Sequence, residues 1–155
     1  AAERDHAAVA SLVLLAPINP LEVADPARYQ AQFGRPLKPL LEQARSLVKA
    51  GKGQARLENV AFLTCPATAV AGESFVSYYA PDPQLEMPAL LKRVNKPALV
   101  VVAGGDQIVR DLDKLIAPLV DGKRLRMTVI PGSDHFFRDL YGEDAMEEIV
   151  KFLRR

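Results

Sequence analysis

Cysteine is nearly absent from this chain: Cys65 is the only one among 155 residues. That excludes an internal disulfide framework, and no His or Cys companions stand at the spacing of a structural zinc site, so no metal is expected. Charge of one sign is equally lacking. Lys and Arg number 20 against 19 Asp and Glu, a formal net charge of +1, and no basic block is present. Nothing would neutralise a phosphate backbone, so nucleic acid is not an expected partner. A long apolar run is missing too: Ala7 to Ile18 is interrupted by Ser11 and Pro17 and is too short to span a bilayer, so no membrane association is expected. What remains is 49% apolar residues, enough for a packed core. The opening Ala1-Ala2-Glu3-Arg4-Asp5-His6 has no initiator Met and no signal-peptide pattern, and a core-like strand follows almost at once. An upstream segment is therefore expected to be missing. The compartment stays open, with the cytoplasm as the starting expectation.

The apolar residues fall into patterns that fix an α/β class. Val9 to Ala16 (VASLVLLA) and Ala98 to Ala103 (ALVVVA) read as strands buried on both faces, hence as members of a parallel sheet. Arg124 to Ile130 alternates as an edge strand does, with Leu125, Met127 and Val129 on one face. Asp111 is positioned to cap a helix carrying Leu112, Leu115, Ile116 and Leu119. A terminal helix presents Met146, Ile149, Val150 and Leu153 at helical spacing. The stretch from Asn19 to Asn95 shows no strand pattern and reads as a helical insertion. Within it, Asp25-Pro26 starts one helix and Gly34 ends it; a second runs from about Pro39 to Gly51, and weaker helical candidates span Ala67 to Tyr79 and Pro88 to Val94 around the turn-rich Pro81-Asp82-Pro83. The domain organisation expected is thus a core of 1–18 and 96–155 with an insertion, 19–95, over the carboxyl edge of the sheet.

Two residues in that core carry chemistry. Asp106 follows the buried strand across Gly104-Gly105, at the carboxyl edge where such sheets bind ligands. The plainer alternative is that it caps a turn. His135 follows the next strand in PGSDHFF, one helix later, so the two loops are expected to be neighbours. A carboxylate holding Nδ1–H leaves imidazole Nε2 free to act as a general base. Ser74, Ser133 and Cys65 are the nearest nucleophile candidates, and each has a simpler reading as a helix, loop or buried apolar residue. Phe75, Tyr78, Tyr79 and Phe136 are candidates for lining an apolar substrate pocket, against the alternative that the cap aromatics are its own core.

In this order, GGDQIV after ALVVVA, PGSDHFF after the last strand, and the closing amphipathic helix resemble the C-terminal portion of serine α/β-hydrolases. VASLVLLAPINP resembles the strand after the nucleophile-bearing unit, with Asn19 to Asn95 in the place of the cap, and LVKAGKG and SYYAPDP within it are similar to bacterial hydrolases. The resemblance implies an α/β-hydrolase fold with Asp106 as triad acid, His135 as triad base, a small-molecule ester or acyl substrate, and no cofactor. It also demands a Gly-x-Ser-x-Gly elbow ahead of the first strand. The chain has only Gly72-Glu73-Ser74-Phe75-Val76, which lacks the second glycine. The nucleophile and oxyanion donors are therefore expected upstream, in the same protein or on another chain, whose strand would lie against Val9 to Ala16; a sheet complete with three strands and that edge solvated would make the fragment reading wrong. An upstream Asp instead of Ser would imply a dehalogenase or epoxide hydrolase. Two other readings stand beside these: a non-catalytic binding module on the hydrolase scaffold, and a nucleotide site at Gly104-Gly105, which lacks Gly-x-Gly-x-x-Gly spacing.

Overall fold

The structure, a computed structural model, describes residues 7–80 and 82–154. The opening residues 1–6, Pro81 of the expected turn and Arg155 lie outside the described residues. The chain divides into two compact units, Ala1–Ile18 with Met87–Arg155, and Asn19–Glu86.

The first unit is built on a parallel sheet of three strands, β1 (Leu12–Leu15), β4 (Ala98–Ala103) and β5 (Leu125–Ile130), with β4 in the middle. The register runs from Leu12 opposite Ala98 on one flank and from Ala98 opposite Leu125 to Ala103 opposite Ile130 on the other. Every residue of β4 is buried, because successive side chains feed opposite faces and both faces are covered. Ala98, Val100 and Val102 pack with Leu91 of helix α5 (Met87–Arg93) and with Leu112 and Ile116 of helix α6 (Leu112–Ile116). Leu99 and Val101 face the other way, onto Ala145 and Phe152 of helix α7 (Tyr141–Leu153). The cover on both faces of the sheet follows from this six-residue apolar run.

Several expectations are corrected here. The first strand is Leu12–Leu15, shorter than Val9 to Ala16, and it is not paired along both edges: among the described residues only β4 lies beside it, and Leu15 is 51% exposed. Asp111 stands at the N-cap of α6, but its side chain does not cap the helix. It sits at φ 53 with no side-chain capping hydrogen bond, and its carboxylate instead pairs with Lys114. On α7 the buried stripe is Ala145 and Phe152, with Tyr141 and Ile149 partly buried, whereas Met146 and Leu153 are both 57% exposed. A three-stranded sheet offers a narrow floor, and Phe152 fills it together with Ala145. Arg126, on the face of β5 opposite Leu125 and Met127, lies over the Phe152 ring at 5.8 Å.

The second unit contains helices α1 (Pro20–Val23), α2 (Pro26–Phe33), α3 (Leu37–Lys49) and α4 (Gly72–Tyr79), and also an antiparallel hairpin, β2 (Arg56–Phe62) with β3 (Cys65–Ala71). The hairpin overturns the wholly helical reading of this stretch, and Met87–Arg93 belongs to the first unit rather than to the insertion. The strands were hidden by their irregularity. The register slips between Leu57 and Val60 and again before Phe62, Asn59 takes φ 54, and Leu57, Val60 and Ala61 are buried without alternating. Pro66 within β3 also argues against a strand unless its edge is free. The helix starts were legible: Asp25 accepts a hydrogen bond from the Ala27 amide at 3.0 Å, Pro26 opens the first turn, and Gly34 closes α2 at φ 67. The core of this unit is aromatic. Tyr29, Phe75 and Tyr79 are buried, Tyr79 meets Phe75 at 4.8 Å and Tyr29 at 5.2 Å, and the Tyr29 hydroxyl donates to the Ala61 carbonyl at 2.8 Å.

Candidate functional site

Asp106 and His135 are brought together by the parallel pairing of β4 and β5. The two strands end in register, Ala103 opposite Ile130, so the loops leaving them start side by side at the carboxyl edge. From there the Gly104 amide donates to the Ile130 carbonyl at 2.9 Å and the Gly105 amide to the Ser133 carbonyl at 2.8 Å. Asp106 comes next on one loop, and His135 two residues beyond Ser133 on the other.

The Asp106 carboxylate is held on both oxygens. Oδ1 of Asp106 accepts from the Ile108 amide at 2.6 Å and the Val109 amide at 2.9 Å, while Oδ2 lies 2.8 Å from Nδ1 of His135. One oxygen thus caps the turn, and the other is the partner of the His135 ring. The side chains are 2% exposed for Asp106 and 16% for His135, so the bond forms largely away from water. A carboxylate only accepts, so the proton sits on Nδ1 and the Nε2 lone pair is left outward. Among the described residues nothing bonds Nε2. The arrangement can therefore take a proton from a group placed at Nε2 and stabilise the imidazolium that results.

The neighbours of His135 have separate tasks. Asp134 does not join the pair: its Oδ1 accepts from the amides of Phe136 and Arg138, and its Oδ2 from Nε of Arg138 at 2.5 Å. Desolvation works the other way, but the Arg138 side-chain bond and those amides hold the Asp134 carboxyl below the usual carboxylate range. Phe136 is 63% exposed, edge-on to the His135 ring at 5.1 Å and beneath the Arg138 guanidinium at 5.6 Å. Phe137 takes φ 49, a backbone conformation costly for an aromatic residue and tolerated at over-determined sites.

The other candidates are placed elsewhere. Phe75 and Tyr79 are corrected from pocket lining to core: both are buried, and the Tyr79 hydroxyl accepts from the Leu63 amide at 3.3 Å, pinning the hairpin turn. Tyr78 is partly buried against the same cluster. Cys65, expected to be buried, is exposed, because it pairs with Phe62 at the tip of the hairpin where no layer covers it. Ser74 is exposed on α4, and Ser133 is fully buried with its hydroxyl donated to the Asp134 carbonyl at 3.0 Å. The amides of Gly104 and Gly105 are consumed by the β5 loop, which leaves neither free for a nucleotide phosphate. A hollow of about 490 Å³ borders the loop after β4, lined by Asp106, Gln107, Arg110 and Lys114 among others but not by His135. Among the described residues no cluster of His, Cys, Asp and Glu could hold a metal, and no helix is long and apolar enough to cross a membrane.

The fold is α/β-hydrolase-like, a parallel sheet flanked by helices. The crystal structure of E-2-(acetamidomethylene)succinate hydrolase superposes over 99% of this chain with a TM-score of 0.53, at 16% sequence identity, and the chain spans 61% of that protein. In sequence, two putative phosphoribosyl transferases of Mycobacterium tuberculosis, from strains CDC 1551 / Oshkosh and H37Rv, are each 29% identical over 98 residues. That match takes in 55% of this chain and 21% of either relative, so the chain covers about a fifth of the curated relatives it matches. No family model matches.

Proposed function

We propose that this chain supplies the acid and the general base of a serine hydrolase acting on a carboxylic ester or a related acyl bond. The observation that carries this reading is the 2.8 Å bond between Asp106 and Nδ1 of His135, with Nε2 left unbonded among the described residues. In the mechanism, a serine hydroxyl attacks the acyl carbon while Nε2 takes its proton. Asp106 steadies the imidazolium, and the proton is returned to the departing alcohol; water then repeats the sequence on the acyl-enzyme. The serine and the oxyanion donors come from a segment or partner chain beyond the described residues. No cofactor enters this scheme. Phe136, exposed beside the imidazole, is the residue best placed to touch an apolar acyl group.

A second reading has its own observation. No Ser or Cys among the described residues is bonded to His135, which favours a non-catalytic binding module on the hydrolase scaffold. An aspartate nucleophile would instead give a dehalogenase or epoxide hydrolase on the same pair. Phosphoribosyl transfer, suggested by the curated relatives' name, draws on a match to only 21% of their length. The glycine amides best suited to a phosphate are already bonded at 2.9 and 2.8 Å.

The intact protein, treated with a serine-directed phosphonyl probe and assayed on short-chain aryl esters, tests the enzymatic reading. Labelling and turnover are expected, with Asp106→Asn lowering kcat by about 10⁴-fold through loss of the productive tautomer, and His135→Ala by at least as much. Absence of labelling, together with undiminished function in His135→Ala, would overturn it in favour of the binding module.

A further inference from the structure

We propose that Gly104, Gly105 and Ser133 are positioning residues: a backbone ladder continued past the ends of β4 and β5 fixes the Asp106–His135 pair, and the two glycines leave the room it needs. The kinetic part rests on the hydrolase reading above; the structural part does not. Strand pairing ends at Ala103 and Ile130, yet the two loops stay hydrogen-bonded through Gly104 to Ile130 and Gly105 to Ser133, at 2.9 and 2.8 Å. A Cβ at Gly104 would stand 3.0 Å from the Ile130 carbonyl oxygen and 3.1 Å from Cα of Pro131. At Gly105 it would stand 3.0 Å from the Gly132 oxygen and 3.1 Å from the Ser133 oxygen.

All of these neighbours are backbone, so none can swing aside as a side chain would. The loops must part by a few tenths of an ångström. Asp106 is one residue from that wedge and His135 two residues from Ser133, so the displacement falls on the 2.8 Å bond between them. Ser133 reinforces the ladder. Its carbonyl receives the Gly105 amide, and its fully buried hydroxyl donates to the Asp134 carbonyl at 3.0 Å, fixing the peptide that leads into His135. This gives the buried serine a task that does not need it to react.

Gly105→Ala in the intact protein is the test. With the fold retained by circular dichroism, kcat is expected to fall about a hundredfold with KM nearly unchanged, the mark of misplacement rather than lost binding. The ¹⁵N spectrum of the neutral His135 ring should change from one protonated and one unprotonated nitrogen, Nδ1 and Nε2, to averaged signals. A variant that keeps both kcat and the fixed tautomer would overturn the proposal. If Gly105→Ala does not fold, amide exchange in the unsubstituted protein decides: the Gly105 N–H should be protected as the amides of β4 are, and exchange at an open-loop rate would overturn the ladder. Should the unsubstituted protein lack esterase activity, the hydrolase reading fails while the tautomer and exchange measurements still judge the ladder.

Discussion

Phe136 and Phe75 show how differently two phenylalanines of one chain are spent. Phe75 is fully buried in an aromatic cluster, and Phe136 is 63% exposed beside an imidazole. Removing the Phe75 ring leaves a cavity among rings that cannot close over it, so Phe75→Ala should cost about 3 to 5 kcal/mol, read as a lower denaturation midpoint. Phe136→Ala should leave that midpoint within about 0.5 kcal/mol and, under the acyl-hydrolase reading, raise KM for apolar esters. A reversed outcome would return Phe75 to the substrate pocket. At this scale the sequence was informative about where Asp106 and His135 stand, because each follows the carboxyl end of a strand and paired parallel strands bring the loops after them side by side. It was silent about which aromatic was wet. That is settled by the partner layer: Phe75 meets Phe62 across a hairpin whose bulges erase its own pattern.

Among the elements, α7 carries the sharpest disagreement between helical spacing and packing. Met146, Ile149, Val150 and Leu153 make a plausible apolar stripe, but the sheet receives Ala145 and Phe152, with Ile149 alone of those four packed beside them. Phe152→Ala is therefore expected to destabilise the first unit by about 3 kcal/mol, while Met146→Ala should change it by under about 0.5 kcal/mol. Thermal midpoints of the two variants check this, and equal losses would restore the stripe read from spacing. The strand β4 was legible for the opposite reason. A run buried on both faces has no choice of face to get wrong. β5 was half legible: Leu125 and Met127 pack on one face as alternation requires, whereas Val129 emerges at the carboxyl end, where no helix covers it.

For the molecule as a whole, the division into two units also divides its response to alkali. Tyr29, Tyr78 and Tyr79 all lie in the second unit, and burial raises the hydroxyl of each; that of Tyr79 is pushed up to about 12, with Tyr29 and Tyr78 adding to the effect against the Leu63 amide. A folded value above the unfolded one of about 10 means that the folded state holds the proton more tightly. The stability it contributes is fully present below pH 10 and is lost as pH rises towards 12. Roughly 2 kcal/mol should go from the second unit over that window for Tyr79 alone. Tyrosinate absorbance rising together with loss of this unit's amide protection, ahead of the first unit's, would bear this out; simple titration near pH 10 with no unfolding would not. The boundary between the units was misplaced in the sequence because α5 resembles the helices before it, and only its burial against β4 assigns it to the sheet.

Asp106 and His135 stand 29 residues apart in sequence and meet because β5 lies beside β4. Until that strand docks, the chain between them is an open loop whose closure entropy opposes the contact. The pair is consequently a thermodynamic reporter on the sheet's outer strand. Any molecule that recognises the assembled Asp106–His135 pair, and not its separated halves, draws the folding equilibrium towards the docked state by mass action, about 2.7 kcal/mol at a hundred times its dissociation constant. Occupancy of the site and integrity of the sheet are in this sense a single linked equilibrium.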